Sequence, residues 1–194
     1  MTDERGPLLL RIAREAVVEA LGGPAPMRPA GPAWLFEPGA CFVTLHRGGV
    51  LHGCIGSLVP HRPLYDDVRA NAVAAALDDP RATPLSLAGS EELEVEVSLL
   101  SALEPFPVAD ERDAVARLRP NVDGVVLRWG SRRGTLLPQV WESIPDPREF
   151  LAMVKLKAGL PAHFWASDVQ LERYTVEKFC EPPRPRLARW ITEP

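Results

Sequence analysis

Apolar residues recur every three or four positions near the start of the chain, and this period predicts an amphipathic helix over residues 7–21. Gly22 and Gly23 follow, as is common where a helix ends. From about residue 40 onwards the pattern changes to short apolar runs separated by glycine and proline. Such runs are typical of strands joined by tight turns. The chain is therefore expected to combine a first helix with a mixed α+β region.

Residues 40–101 form the first of two similar patterns. Two apolar runs flank Gly48–Gly49, which predicts a β-hairpin. A helix is expected over about residues 63–77, because Asp79 and Pro80 follow it, and Arg81 is expected to pair with Asp79. Strict alternation of apolar and polar residues then predicts a strand that ends near residue 100.

Residues 122–180 repeat this order of hairpin, helix and strand. The second hairpin is expected to turn near Gly130–Ser131. Asp146 and Gly159 suit the N-cap and the C-terminal cap of the second helix. In the last strand the alternation breaks near Arg173–Tyr174, where we expect a bulge. A repeat of this kind indicates an α+β fold with one curled antiparallel sheet and flanking helices.

The chain has 194 residues, enough for a single domain over 1–194, with the helix at its start and a Pro/Arg-rich tail over 181–194. Its net charge is −4, so a general attraction to nucleic acid or to anionic membranes is not expected. No segment has the pattern of a signal peptide or of a membrane span. Three scattered cysteines indicate reduced thiols and a cytoplasmic location.

The segment LHGCIGSL, residues 51–58, carries the most specific chemical signal. It places Cys54 between Gly53 and Gly56 on an expected strand. Glycine weakens a strand interior, so two of them indicate close approach by another backbone or by a ligand. We therefore regard Cys54 as a candidate nucleophile or substrate contact, with both glycines bordering the substrate. The alternative is that Cys54 fills the core as a small apolar residue.

Strand geometry supplies candidate partners for Cys54. Residues two apart share a face, so His52 and Cys54 are expected to point the same way with Cβ atoms about 7 Å apart. His52 would modulate the thiol or contact an anion, and Glu96 would act as a base or orient His52. Ser98, on the face of Glu96, and Gln139, at a later strand end, would fix the ligand.

The core alternative also has support in the expected register. If Gly48–Gly49 form a two-residue turn, Val43 faces Cys54 and Leu45 faces His52. That face would then be partly apolar.

Several segments occur in the order known from one protein family. They are CFVTL, LHGCIGSL, LEVEVSLL, VDGVVL, GTLLPQV and FLAMVKLKAGLP. Over about residues 35–180 the chain resembles the AMMECR family, whose bacterial members form the A protein of the AmmeMemoRadiSam system. The resemblance implies two β-rich repeats around a barrel-like sheet. It also implies a pathway shared with a radical S-adenosylmethionine (SAM) protein and a Memo-like protein, but no assigned reaction.

One position departs from the family pattern. Relatives usually carry arginine before the Gly-Cys-Ile-Gly core, where this chain has His52. Histidine is mostly neutral at pH 7, so an anion held by that arginine in relatives would be held less well here. A catalytic base is also not expected at a position where relatives carry arginine.

Two hypotheses about function follow. The first is an enzyme or substrate-handling component that binds a small-molecule ligand around Cys54. The second is a non-catalytic binding or scaffold module for the radical SAM and Memo-like proteins. Nucleic acid is a less favoured partner, although residues 128–133 interleave tryptophan with arginines, because the whole chain is acidic. The four histidines lack metal-ligand spacing, so no metal site is expected, and no motif identifies a cofactor.

Overall fold

A computed structural model describes residues 4–27 and 30–182 of the chain. The α-helices in these ranges are α1 (Arg5–Ala20), α2 (Leu64–Leu77), α3 (Glu111–Arg117) and α4 (Pro147–Lys157). The strands are β1 (Pro38–Gly39), β2 (Cys41–Arg47), β3 (Val50–Gly56), β4 (Arg62–Pro63), β5 (Leu93–Leu100), β6 (Glu104–Pro105), β7 (Gly124–Trp129), β8 (Arg132–Leu136), β9 (Gln170–Tyr174) and β10 (Val176–Cys180). Short 3-10 helices span Ala33–Leu35, Ala88–Glu92 and Pro138–Glu142.

The chain divides into two compact units. Unit 1 comprises Met1–Leu99 and Lys178–Pro194, and unit 2 comprises Leu100–Glu177. Each unit has its own hydrophobic core and its own four-stranded sheet.

In unit 1 the sheet has the order β10-β5-β2-β3, and β2 pairs antiparallel with both β3 and β5. Helices α1 and α2 provide apolar residues to a core that also contains Val43 and Leu45 of β2 and Val95 and Val97 of β5. Successive side chains on a strand alternate between faces. Thr44, between Val43 and Leu45, and Glu96, between Val95 and Val97, therefore point away from the helices. Strands β1 and β4 form a separate two-stranded sheet.

In unit 2 the sheet has the order β6-β9-β7-β8. The core contains Trp141 and Phe150, whose rings stack with centroids 3.7 Å apart. Leu127 of β7, Leu171 of β9 and Val154 of α4 complete its centre. Unit 2 therefore repeats the scheme of unit 1. Hairpin β7–β8 corresponds to β2–β3, helix α4 to α2, and strand β9 to β5.

Most of the predicted elements are confirmed. Gly48 and Gly49 have φ angles of 60° and 78°, so both adopt the left-handed conformation that a two-residue hairpin turn requires. Asp146 caps α4 by accepting a hydrogen bond of 2.7 Å from the Arg148 N–H. Gly159 follows the helix with φ 70°.

Two expectations differ from the structure. Over the described ranges the strands form separate sheets and no closed barrel, so the single curled, barrel-like sheet is not confirmed. The last segment is also not one bulged strand, because it divides at Thr175 into β9 and β10, which join different sheets. The Ser101 N–H donates to the Thr175 carbonyl (2.9 Å), and the Thr175 N–H donates to Ser101 Oγ (3.0 Å). Ser101 is thus hydrogen-bonded to both main-chain groups of Thr175, just after β9 ends at Tyr174.

None of the helices within 4–27 and 30–182 is long and apolar enough to cross a membrane. Most of the predicted Pro/Arg-rich tail, residues 183–194, lies outside the described residues. The prediction of a single domain over 1–194 stays a prediction.

Candidate functional site

Gly53 brings the end of α2 against β3. A Cβ atom at this position would lie 2.0 Å from the Ala75 carbonyl oxygen and 3.0 Å from Asp79 Cβ. A residue with a side chain would therefore push the helix away. Glycine at this position allows the residues that follow α2 to reach the backbone of Cys54.

Asp79 anchors that backbone. The Cys54 N–H donates to Asp79 Oδ2 at 2.8 Å, and Arg81 donates to the same carboxylate through Nε (2.9 Å) and Nη2 (2.7 Å). The predicted pairing of Arg81 with Asp79 is thereby confirmed. Hydrogen bonds from Arg81, and then from the Cys54 N–H, hold the pKa of Asp79 well below its usual range. Because β3 is an edge strand, Asp79 also satisfies an N–H that the sheet leaves open.

The Cys54 sulfur lies on the face of the sheet away from the helices. Gly53 faces α2, so its neighbour Cys54 points to the opposite side. There it lies opposite Thr44 of β2, whose hydroxyl donates to Cys54 Sγ at 3.2 Å. Cys54 is half-buried.

A cation lies beside the backbone of Cys54. Arg81 Nη2 and the Cys54 N–H both donate to Asp79 Oδ2, and the hydrogen bond to Asp79 raises the pKa of Arg81. A hydroxyl donor and a neighbouring guanidinium are features of the electropositive surroundings in which reactive cysteines are found.

Glu96 lies in the same row of the sheet. Thr44 pairs with Cys54 on one side and with Glu96 of β5 on the other. We call Cys54, Thr44 and Glu96 the Cys54 row. Neighbouring strands are about 4.8 Å apart, so the backbones of Cys54 and Glu96 are about 10 Å apart, with Thr44 between them.

The carboxylate of Glu96 has partners of its own on β10. Lys178 Nζ lies 3.2 Å from Glu96 Oε1, and the Cys180 thiol donates to Glu96 Oε2 at 3.5 Å. Burial and the neighbouring charge of Glu96 raise the pKa of Cys180. Glu96 therefore lies on the side of the sheet away from the core, as expected, and contacts the thiol of Cys180.

His52 does not share the face of Cys54, and this expectation is wrong. The register of β2 and β3 shifts between Leu45 and His46, which leaves His52 as the extra residue of a β-bulge. Its imidazole is 4% exposed, and Nε2 lies 3.1 Å from the Ala76 carbonyl oxygen of α2. The distance expected from regular strand geometry does not apply, and the structure does not assemble the Cys54–His52–Glu96 arrangement.

The expected cross-strand pairs are wrong for the same reason. Val43 lies opposite Ile55, and Leu45 lies opposite Gly53. The bulge moves every later residue of β3 by one position relative to β2. Cys54 consequently pairs with Thr44 and does not face the apolar core.

Gly56 and Ser98 lie in the next row. A Cβ atom on Gly56 would be 2.2 Å from the ring of Phe42, so the space beside this glycine is filled by that ring. Phe42 pairs with Gly56 on β3 and with Ser98 on β5, and Ser98 is 2% exposed. The predicted roles of Gly53, Gly56 and Ser98 as ligand contacts stay predictions.

Gln139 belongs to unit 2, in the 3-10 helix Pro138–Glu142 that follows β8. Its side chain is exposed. Its predicted role as a ligand contact is likewise untested.

Cys41 has surroundings of a different kind. It is fully buried, and burial and the charge of Asp67 raise its pKa. Asp67, itself fully buried, accepts hydrogen bonds from the Cys41 N–H (3.0 Å), Ser57 Oγ (2.7 Å) and Arg62 Nε (2.8 Å). Asn71 adds another at 3.0 Å. This network ties the start of β2 to α2 and identifies Cys41 as a structural cysteine.

Sequence reasoning missed Thr44, Lys178 and the Asp67 network. Thr44 lies between the buried residues Val43 and Leu45, so alternation alone predicts that it faces away from the core. Its pairing with Cys54 depends on the bulge and could not be predicted. Asp67 and Asn71 are four residues apart on the buried face of α2, and this polar pair in an alanine-rich helix was the available signal. Over the described part of the chain, no group of three or more His, Cys, Asp or Glu residues could hold a metal ion.

Comparison with known proteins agrees with this architecture. The family model AMMECR1 matches residues 10–179. The chain belongs to the AMMECR1 family. A protein of Methanothermobacter thermautotrophicus is 35% identical over 189 residues, covering 93% of this chain and 96% of its own. A Thermotoga maritima protein is 42% identical over 151 residues, covering 76% and 82%.

A solved structure supports the same fold for this AMMECR1 family protein. The uncharacterized protein PH0010 from Pyrococcus horikoshii matches with a TM-score of 0.80 and 37% identity, covering 93% of each chain. These relatives carry no assigned activity in their names, so this chain is an AMMECR1 family protein of unknown function.

Proposed function

We propose that this protein is an enzyme or substrate-handling component that acts on a small molecule at Cys54. One observation carries the proposal: Cys54 is a half-buried thiol with a hydroxyl donor at 3.2 Å, on the face of the sheet away from the helices. Its backbone is held by Asp79, and Arg81 lies nearby. A positioned thiol of this kind is suited to act as a nucleophile or as a direct ligand contact.

The other two thiols do not have this combination. Cys41 is enclosed by the core and by Asp67, and its pKa is raised. Cys180 is exposed, but its thiol donates to Glu96 and its pKa is raised as well. In the proposed site Glu96 is a polar group further along the Cys54 row, and the ligand contacts of Gly53, Gly56 and Ser98 stay predictions. His52 has a structural contact to α2 and takes no part in the reaction.

The resemblance to bacterial AMMECR proteins extends this proposal to a pathway. The protein would work with radical SAM and Memo-like proteins, in a reducing cytoplasm where free thiols persist. The alternative is a scaffold for those partners without chemistry of its own.

Alkylation of the native protein with iodoacetamide, with each cysteine followed by mass spectrometry, tests the proposal. We expect Cys54 to react fastest, Cys180 more slowly and Cys41 only after denaturation. The variant Cys180→Ser should leave the rate at Cys54 unchanged, and Cys54→Ser should remove the fast reaction. A Cys54 that stays inert until the protein unfolds would overturn the proposal and favour the scaffold.

A second measurement separates ligand handling from mere reactivity. Wild-type protein and Cys54→Ala are incubated with a protein-free cell extract, and the masses of the intact chains and of their bound small molecules are compared. We expect a small molecule retained by the wild type and lost in Cys54→Ala, with little change in thermal unfolding. Equal retention by both proteins would contradict a role for Cys54.

A further inference from the structure

Arg133 of β8 carries an unpartnered hydrogen-bonding edge in unit 2. Its Nε and Nη2 atoms are both buried, and neither has a hydrogen-bond partner in the part of the chain that the structure describes. Arginine stays protonated in proteins, so this burial cannot be relieved by loss of a proton. A buried charged donor without an acceptor carries a high free-energy cost. The edge therefore requires an acceptor.

The same edge binds carboxylates elsewhere in this chain. Three arginines present Nε together with Nη2 to one carboxylate, the bidentate arrangement that matches a planar oxyanion. They are Arg14 with Glu181, Arg81 with Asp79 and Arg119 with Asp123. Arg133 has the same edge available and lacks such a carboxylate among the described residues.

The position of Arg133 on the sheet follows from its neighbour. A Cβ atom on Gly134 would lie 2.3 Å from the Val154 carbonyl oxygen of α4, so Gly134 faces the helix. Arg133 and Thr135 therefore face away from α4. On that face Thr135 Oγ1 lies 3.2 Å from Tyr174 Oη. The charge of Arg133 is also close enough to oppose the rise that burial causes in the pKa of Tyr174.

Two arginines and one carboxylate occupy neighbouring positions on this face of the sheet. Arg133 lies directly opposite Arg128 on β7, and like charges in such a pair are destabilising. Glu172 accepts a hydrogen bond of 2.8 Å from Arg128 Nε, so this carboxylate is already engaged. Among the described residues, Arg173 Nε is also buried without a hydrogen bond, but Glu104 Oε2 lies 3.9 Å from it.

We propose that the Nε/Nη2 edge of Arg133 binds an oxyanion, the carboxylate or phosphate group of a small molecule, beside the hydroxyls of Thr135 and Tyr174. The proposal goes beyond the function proposed for Cys54, because all of these residues belong to unit 2. Both nitrogens are closed to bulk solvent, so the side chains that cover them must move when the anion enters.

Thermal unfolding with inorganic phosphate and with acetate, at ionic strength held constant with sodium chloride, tests this proposal. An anion tenfold above its Kd should raise the Tm of the wild type by about 3 °C. Arg133→Met should abolish this rise, and Arg133→Lys should weaken binding about tenfold because it loses the bidentate edge. Arg132→Met, a change at the exposed neighbour, should retain the full rise.

The two anions also distinguish the source of the ligand group. A response to phosphate alone indicates a phosphorylated ligand, and a response to acetate alone indicates a carboxylate.

Without added anion, Arg133→Met should unfold at the same or a higher temperature than the wild type, because it removes two buried donors that lack an acceptor. A wild type that responds to neither anion, or no more than Arg133→Met does, would overturn the proposal. So would a large loss of stability in Arg133→Met, since the edge would then have a partner within the chain.

Discussion

Units 1 and 2 share the arrangement of a hairpin, a packed helix and a third strand but place different chemistry at equivalent positions. Gly53 and Gly134 show the shared scaffold most clearly. Each lies on the second strand of its hairpin, opposite a leucine of the first strand. Each also faces a carbonyl oxygen of the packed helix, at 2.0 Å and 2.3 Å from the position a Cβ atom would take. The close approach of helix to hairpin is thus built twice in the same way.

The residues next to these glycines differ. In register, the Cys54 row of unit 1 corresponds to a row of three residues in unit 2. The pairs are Cys54 with Thr135, Thr44 with Val126 and Glu96 with Glu172. Unit 1 therefore has a thiol bonded to a hydroxyl where unit 2 has a fully buried valine beside a threonine. The comparison teaches that one backbone scheme places a thiol next to a hydroxyl in one unit and separates a hydroxyl from a carboxylate by a buried valine in the other.

The residue before each glycine shows how a single irregularity changes the outcome. His52 and Arg133 are equivalent in sequence position. The bulge in unit 1 turns His52 towards the Ala76 carbonyl of α2. The pairing of β7 with β8 is regular, so Arg133 stays on the face away from α4. The position therefore serves helix packing in one unit and leaves a cationic edge in the other.

Replacing the two glycines is expected to have the largest effect on stability. Gly53→Ala and Gly134→Ala should each lower the free energy of unfolding by about 2 to 3 kcal/mol, because the added Cβ overlaps a helix carbonyl. Urea denaturation measures this, with Gly89→Ala as control, since a Cβ there meets no atom nearer than 3.4 Å. If only one of the two variants is destabilised, the equivalence of the units breaks down.

A smaller effect is expected at Tyr174, which occupies in unit 2 the position of Ser98 in unit 1. Tyr174→Phe removes the hydrogen bond to the Leu136 carbonyl (3.2 Å) and should cost about 1 kcal/mol. Burial raises the pKa of Tyr174 to about 12, whereas an unfolded tyrosine ionises near 10.

This difference in pKa makes the prediction pH-dependent. The folded state keeps a proton that the unfolded state has lost, so stability conferred at neutral pH is lost as pH rises from about 10 to about 12. Denaturation at several pH values should show a shallower decline in Tyr174→Phe than in the wild type. Thr135→Val, which keeps the phenol, serves as the control and should keep the steeper decline. Parallel curves for wild type and Tyr174→Phe would show that this phenol does not govern the alkaline limit.

The smallest effect on stability is expected from Thr44→Val, which gives the Cys54 row the valine that unit 2 has at this position. The free energy of unfolding should change by less than about 1 kcal/mol, because one hydroxyl is lost and its partner is a half-buried thiol. The rate of Cys54 alkylation should fall about threefold, since the sulfur loses its hydrogen-bond donor. Thr135→Val is the matched control and should leave that rate unchanged. An unaltered rate in Thr44→Val would mean that the hydroxyl contributes nothing to the thiol.

Much of the architecture could be predicted from the sequence, because local patterns carry it. The period of apolar residues identified α1, and the caps at Asp146 and Gly159 identified α4. The paired glycines at 48 and 49 identified the first hairpin. Alternation on β5 placed Glu96 on the face away from the core, and the spacing of Asp79 and Arg81 indicated their ion pair. In each case the determining interaction lies within a few residues along the chain.

Other features depend on contacts between distant segments. The bulge that separates His52 from Cys54 arises where β3 must meet both β2 and the end of α2, and no local pattern records that fit. The break at Thr175 depends on Ser101, 74 residues away. The partners of Cys54, namely Thr44 across the hairpin and Asp79 beyond α2, follow from the register and from helix packing. The sequence by itself determined the elements, their repetition and the candidate thiol. Only the tertiary structure decided which side chains meet at that thiol, because a shift of one residue in register turns every later side chain to the other face.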